Sequence, residues 1–266
     1  MEVERRDVRS SSARFGACPG DGRFATRTGT SRGSWDVHDR RIQIRPERPA
    51  VSPAPPARPR LRGWIHGAAA PLAVAAAVLL WRASAPGLPR ASVAVFGVGL
   101  VALYVVSGLY HVPRWPERVR RWLGRVDVAM IQLFIAASFT PFAVHTLDGV
   151  WRTWSLRAVW LIALVGAAVA VSPARAPRWL SVIAYTAFGA LAAVPLLRVA
   201  AVLSPAGLGL LGTGALIYLT GGVIYARGRP DPWPRWFGFH EVFHVLVVVA
   251  SSLHAIALWR YAIPLA

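Results

Sequence analysis

Two histidines, His240 and His244, stand one helical turn apart at the mouth of the last long apolar run, within His240-Glu241-Val242-Phe243-His244. A third, His111, closes Ser107-Gly108-Leu109-Tyr110-His111 at the end of a much earlier apolar run. Residues i and i+4 of a helix differ by about 40° in direction, so His240 and His244 can share a ligand face. Imidazole is a good zinc ligand, and three protein ligands with one open position make the geometry of catalytic zinc, which acidifies its water to a pKa of about 7. Asp127 would hydrogen-bond that water or orient a ligand, and Ser107, one turn before His111, would support the ligand from behind. The plainer alternative is a set of interfacial histidines hydrogen-bonded to backbone or lipid phosphate. An ionisable side chain costs a few kcal/mol in hydrocarbon, and two histidines on one face, with a third and an aspartate at matching depth, favour a metal.

The elements that must bring these residues together are membrane spans. The chain has 266 residues, 55% of them hydrophobic, and a mean hydropathy of +0.44, too apolar for an ordinary soluble domain. A hydrocarbon core of about 30 Å takes about 20 helical residues to cross. Apolar segments of that size recur from Trp64 onward, separated by short loops marked by Pro and Arg, at roughly 64–81, 91–110, 127–145, 157–172, 179–197, 206–226 and 241–259. The expected fold is an all-α, seven-transmembrane-helix bundle over residues 60–266. Residues 1–59, rich in Arg, Ser, Gly and Pro with no apolar stretch, form an expected disordered tail. Val51 is compatible with a GTG start that would leave most of that tail out. No secretory signal peptide opens the chain.

The net charge of +18 comes from arginine alone, since the sequence contains no lysine. That substitution, with abundant Ala, Gly and Pro, points to a GC-rich bacterial genome. A basic balance raises nucleic acid as a partner, but 14 of the 30 arginines lie in the first 62 residues and the others between apolar runs. The positive-inside bias explains this better. With a cytoplasmic amino terminus, the inner segments hold 24 arginines and the outer ones 6; without the tail the balance is still 10 against 6. The expected location is the bacterial inner membrane, amino terminus inside and carboxyl terminus outside. This orientation puts Ser107 and His111 at the cytoplasmic end of the second span, Asp127 at that end of the third, and His240 and His244 at that end of the seventh. Residues from three distant parts of the chain reach one depth.

The stretch from His240 to His244 also matches H-E-x-x-H, the zinc-protease signature in which Glu is the general base. A protease needs a third ligand, and His254 lies ten residues, about 15 Å of helix, beyond His244. His111 is the better third ligand. For His254 the expected role is core hydrogen bonding, and for His66 and His145 it is interfacial packing. His38 and the single cysteine, Cys18, lie in the tail. Gly207-Leu208-Gly209-Leu210-Leu211-Gly212 fits G-x-G-x-x-G but has no strand before it, so its glycines are expected to let helices approach closely.

These residues together resemble the hemolysin III family, related to the progestin and adipoQ receptors and to a wider superfamily that includes alkaline ceramidases. The matching pieces are Arg62-Gly63-Trp64-Ile65-His66, Ser107-x-x-Tyr110-His111, and Asp127 followed by Ile135-Ala136-Ala137-Ser138-Phe139-Thr140-Pro141-Phe142. Gly221-Gly222-Val223-Ile224-Tyr225-Ala226-Arg227 and Phe239-His240-Glu241-Val242-Phe243-His244 complete them. The resemblance implies seven spans, a cytoplasmic amino terminus, and zinc on His111, His240 and His244 with Ser107 and Asp127 beside them. Where the family often has His after the Asp, this chain has Val128. Superfamily relatives hydrolyse lipid amides, others are receptors, and the hemolysin label implies cytolysis. The resulting expectation is hydrolysis of a lipid-like amide or ester, with a non-catalytic receptor or cytolytic protein holding structural zinc as the alternative. No nucleic acid partner is expected.

Overall fold

The computed structural model describes residues 59–172, 177–196 and 198–265, so the expectation for the tail lies almost entirely outside the described residues. Among those described, the structure is all-helical, with seven long helices: α1 (Trp64–Ala83), α2 (Leu88–His111), α3 (Glu117–Thr146), α4 (Gly149–Val171), α5 (Arg178–Leu196), α6 (Pro205–Arg227) and α7 (Phe239–Ala257). Six are long and apolar enough to cross a membrane. In α5 the apolar stretch is the shorter Val182–Ala192.

Helix ends follow backbone chemistry more than hydropathy. α3 begins at Glu117, ten residues before the expected start, because its arginine-rich first turns keep their hydrogen bonds beyond the hydrocarbon. An exposed pair one turn apart, Arg121 Nη1 to Glu117 Oε1 at 3.1 Å, lies there. α4 likewise begins at Gly149, and its first turns carry Trp151, Arg152, Trp154 and Arg157. α6 opens with Pro205 at its first position, where a missing N–H costs nothing, and Ser204 caps it by accepting from the Gly207 N–H. Among the described residues no strand precedes Gly207; of the three glycines only Gly207 allows a close approach, since a Cβ there would lie 2.9 Å from the Tyr261 Cβ, whereas Gly209 and Gly212 face open space. α7 runs on into a π-turn, Leu258–Ala262.

The bundle is apolar outside and carries its polar side chains within, as a lipid-embedded protein must. Leu72, Val98, Leu161 and Leu216 are exposed, whereas His66, Ser107, His111, Glu241, His244 and Ser251 are buried. Trp64, Trp81, Trp151, Trp154 and Trp259 are exposed near helix ends, where the amphipathic indole suits the headgroup region. Guanidinium groups cover three such rings, Arg90 over Trp81, Arg157 over Trp154 and Arg198 over Trp151. α3 is the most buried of the six long apolar helices; its Phe134 ring lies 5.9 Å from that of Phe96 of α2, in a core that also holds Phe139, Phe142, Leu100 and Leu103. Lipid offers no hydrophobic drive for helix association, so close approach supplies the packing energy. Glycine permits it: a Cβ on Gly99 would lie only 2.6 Å from the Ala137 Cβ, leaving no room for a larger residue.

Candidate metal centre

The last residue of α2 and the first turn of α7 meet at one end of the bundle. His111 ends α2, His240 is the second residue of α7, and His244 follows one turn later. One ligand atom from each of the three lies within 4.8 Å of the others. Ring centroids are 4.6 Å apart for His111 and His240, 4.5 Å for His240 and His244, and 5.4 Å for His111 and His244. His111 and His244 are buried and His240 is half-buried. The closest approach is between the two Nε2 atoms of His111 and His240, at 3.1 Å. Two nitrogens bound at about 2.0–2.1 Å to one tetrahedral ion stand about 3.3 Å apart. The donor set therefore fits a shared metal ion.

Asp127 lies in the third turn of α3 and points its Oδ2 at His111 Nε2, 3.7 Å away. That is the same nitrogen that faces His240. The carboxylate therefore borders the space enclosed by the ligand atoms; it does not stand behind His111 to fix its tautomer. Of the two roles expected for Asp127, geometry favours contact with a water or substrate over orientation of a ligand. Ser107 is buried on α2 one turn before His111.

Glu241 is fully buried and both its oxygens are engaged. Oε1 accepts from Arg62 Nε, and Oε2 accepts from the Gly238 N–H at 2.8 Å, capping the start of α7 with the glutamate half of a capping box. The segment before α1 lies along the α6–α7 loop, with Arg60 N–H donating to Arg235 O at 3.0 Å and Leu61 N–H to Trp236 O at 3.1 Å. A carboxylate held this way ties α1 to α7 and is not presented to the histidines. The H-E-x-x-H pattern here is a helix cap beside two ligands.

Gly63 makes this junction possible. Its φ is +86°, a conformation costly to side-chain-bearing residues, and a Cβ there would lie 2.4 Å from the His111 Cβ. Gly63→Ala is therefore expected to destabilise the protein by at least about 2 kcal/mol and to lower its metal content by displacing His111. Melting curves and metal analysis of the purified variant check both; a wild-type metal load would show that the contact is soft.

The remaining histidines divide. His254 Nε2 lies 3.3 Å from the Leu211 carbonyl oxygen and packs near Tyr218, so it makes the expected core hydrogen bond away from the triad. His145 is buried at the end of α3 and lines a recess of about 470 Å³ with Asp148 and Arg152. His66 departs furthest from expectation. It is buried, and its ring stacks on His244 at 4.0 Å with planes 2° apart. The arginine bias of the loops puts the start of the first span at the triad's depth, and that signal suffices to place His66 nearby. Tyr225 of α6, given no role in the sequence reading, sets its ring edge against His240 at 5.4 Å.

The haemolysin-III-related family profile matches residues 56–255. The chain belongs to that family. Among its relatives, Hemolysin-3 of Bacillus cereus is 28% identical over 204 residues, covering 76% of this chain and 90% of that protein. The monocyte to macrophage differentiation factor of Homo sapiens is 26% identical over 193 residues, covering 71% and 78% respectively. No solved structure matches the chain significantly. Within this family member, the matched region contains His111, Asp127, His240 and His244, and also His66, Arg62 and Glu241.

Proposed function

We propose that this haemolysin-III-family protein holds zinc on His111, His240 and His244 and hydrolyses the amide or ester bond of a lipid-like substrate. The bundle would cross the membrane seven times, α5 included, with the amino terminus and the histidine site on the cytoplasmic side of a bacterial inner membrane. The observation that carries the reading is the placement of Asp127 Oδ2 on the ligand-facing side of His111 Nε2. A purely structural metal needs no carboxylate beside its open side, whereas hydrolysis needs a group there to hold and deprotonate water.

Zinc, when bound, supplies a Lewis acid and lowers the pKa of water in contact with it to about 7. Asp127 then has two tasks that belong to this chain. Its carboxylate orients a water by accepting a hydrogen bond, and it takes the proton as that water attacks the acyl carbon. The same carboxyl group returns the proton to the departing amine or alcohol, so atoms and charges balance across the cycle. Ser107, buried one turn before His111, takes the supporting place behind that ligand.

Asp127→Asn tests this. The variant is expected to keep its zinc and its fold and to release fatty acid from ceramide-like and ester lipids about 10²–10⁴-fold more slowly. Unchanged turnover would refute the assigned role. A second reading is favoured by one observation, the name Hemolysin-3 borne by the Bacillus cereus relative. It is a cytolytic or receptor-like membrane protein in which zinc is structural. Lysis of red cells or vesicles that persists in Asp127→Asn, with no fatty acid released by the wild type, would select that reading.

A further inference from the structure

The ring of His66 has no assigned task in the triad, yet it is among the most tightly held side chains of the site. It is 3% exposed. It lies flat on His244 and also stacks on Tyr104, 4.8 Å away with planes 24° apart. Tyr104 is fixed in turn: its hydroxyl is 2.5 Å from Ser251 Oγ, which donates to the Val247 carbonyl at 2.8 Å. Among the described residues, neither His66 Nδ1 nor His66 Nε2 makes a well-formed hydrogen bond; the backbone of His244 offers only a weak contact.

Burying poorly partnered polar atoms in apolar surroundings is unfavourable, and most of all where lipid excludes water. A phenyl ring would stack on His244 and Tyr104 as well without that cost. The imidazole nitrogens therefore have a use that stacking does not explain. Direct ligation is not that use. Ring-nitrogen lone pairs lie in the ring plane, and an ion held by His244 lies near the plane of His244. The lone pairs of a parallel ring run alongside that plane and do not converge on the same ion. What remains is a hydrogen bond to a group that comes to rest beside His244. Neutral imidazole has one N–H donor and one acceptor, and the donor suits a carbonyl or carboxylate oxygen.

We infer that His66 is a binding residue of the site, donating a hydrogen bond to the carbonyl oxygen of the amide or ester substrate and to the carboxylate of the fatty acid released from it. This rests on the hydrolase reading for the identity of the acyl group, though the binding itself does not require turnover. It assigns α1 a part in recognition, where the ligand set involves only α2 and α7.

The test uses full-length protein in detergent, zinc-loaded, as wild type, His66→Phe and His66→Gln, with dodecanoic acid as the probe. His66→Phe is expected to keep its zinc content, because the flat ring on His244 is retained. Its melting midpoint should rise by about 3 °C or more once the poorly partnered nitrogens are gone. Its affinity for dodecanoate should fall about 10- to 100-fold, the worth of one hydrogen bond to a charged group. His66→Gln restores a donor and should bind the probe more tightly than His66→Phe. Zinc loss in His66→Phe would overturn the inference by showing that the residue serves the metal. Unchanged dodecanoate affinity would overturn it too, as would a wild type that does not bind the probe. A wild type that binds dodecanoate with a His66-dependent affinity yet hydrolyses no lipid would sink the hydrolase reading and leave this inference standing.

Discussion

Protein purified with His111→Ala is expected to carry no stoichiometric zinc and to lose lipid turnover with it. The reason is connectivity. His240 and His244 come from one turn of α7, so alone they make a two-point chelate on a single helix. His111 is the ligand that joins α2 to α7, its Nε2 lying 3.1 Å from that of His240. Loss of a residue that merely supports a ligand costs about 10–100-fold in metal affinity, and loss of one of three ligands is expected to exceed that. A second readout follows from linkage, because an ion that binds only the folded state raises its stability. Chelator should lower the melting midpoint of the wild type and leave that of His111→Ala unchanged. Equal zinc content in the two proteins, measured by elemental analysis after gel filtration, would refute the proposed ligand set.

The largest effect on stability is expected at Arg62. Its guanidinium is the charged partner of Glu241, whose side chain is 0% exposed. Arg62→Ala leaves a carboxylate in the bundle with only the Gly238 N–H to satisfy it. Breaking a buried pair from one side costs about 3–5 kcal/mol, because the remaining charge is uncompensated, and the melting midpoint should fall by about 10 °C or more. The double variant Arg62→Met with Glu241→Leu should recover much of this, since apolar replacement of both partners removes the stranded charge. Glu241→Gln, which keeps an acceptor for the capping bond, is expected to hydrolyse lipid nearly as the wild type does. Complete loss of turnover in a folded, zinc-replete Glu241→Gln would revive the protease-type assignment of Glu241 as base. An unaltered midpoint in Arg62→Ala would show that the pair contributes nothing.

Much of the site is legible in the amino-acid sequence. The spacing of His240 and His244 places both on one helical face whatever surrounds them, and the arginine bias of the loops puts His111 and Asp127 at the same depth. The structure brings the three histidine ligand atoms within 4.8 Å. The ends of α3 and α4 are not legible from hydropathy, because apolar runs mark where hydrocarbon begins and helices continue into the interface as long as their backbone bonds do. The opening of α3 at Glu117 shows the difference. The sequence around Glu241 misleads for a related reason. A glutamate between two histidines matches a catalytic signature, and only its contact with Arg62, 179 residues earlier in the chain, shows that it is an internal tie.

What the chain alone determined is whatever depends on neighbours in sequence and on depth in the bilayer: helical class, the apolar runs, the ligand spacing on α7, and the shared level of the polar ends. Tertiary structure decided the rotation of each helix about its own axis. In lipid an apolar face gains little by turning inward, so hydropathy does not set that rotation; small residues, buried ion pairs and ring stacking do. That is why the pairing of His66 with His244 and of Arg62 with Glu241 emerged only in three dimensions, although every residue involved was in plain view in the sequence.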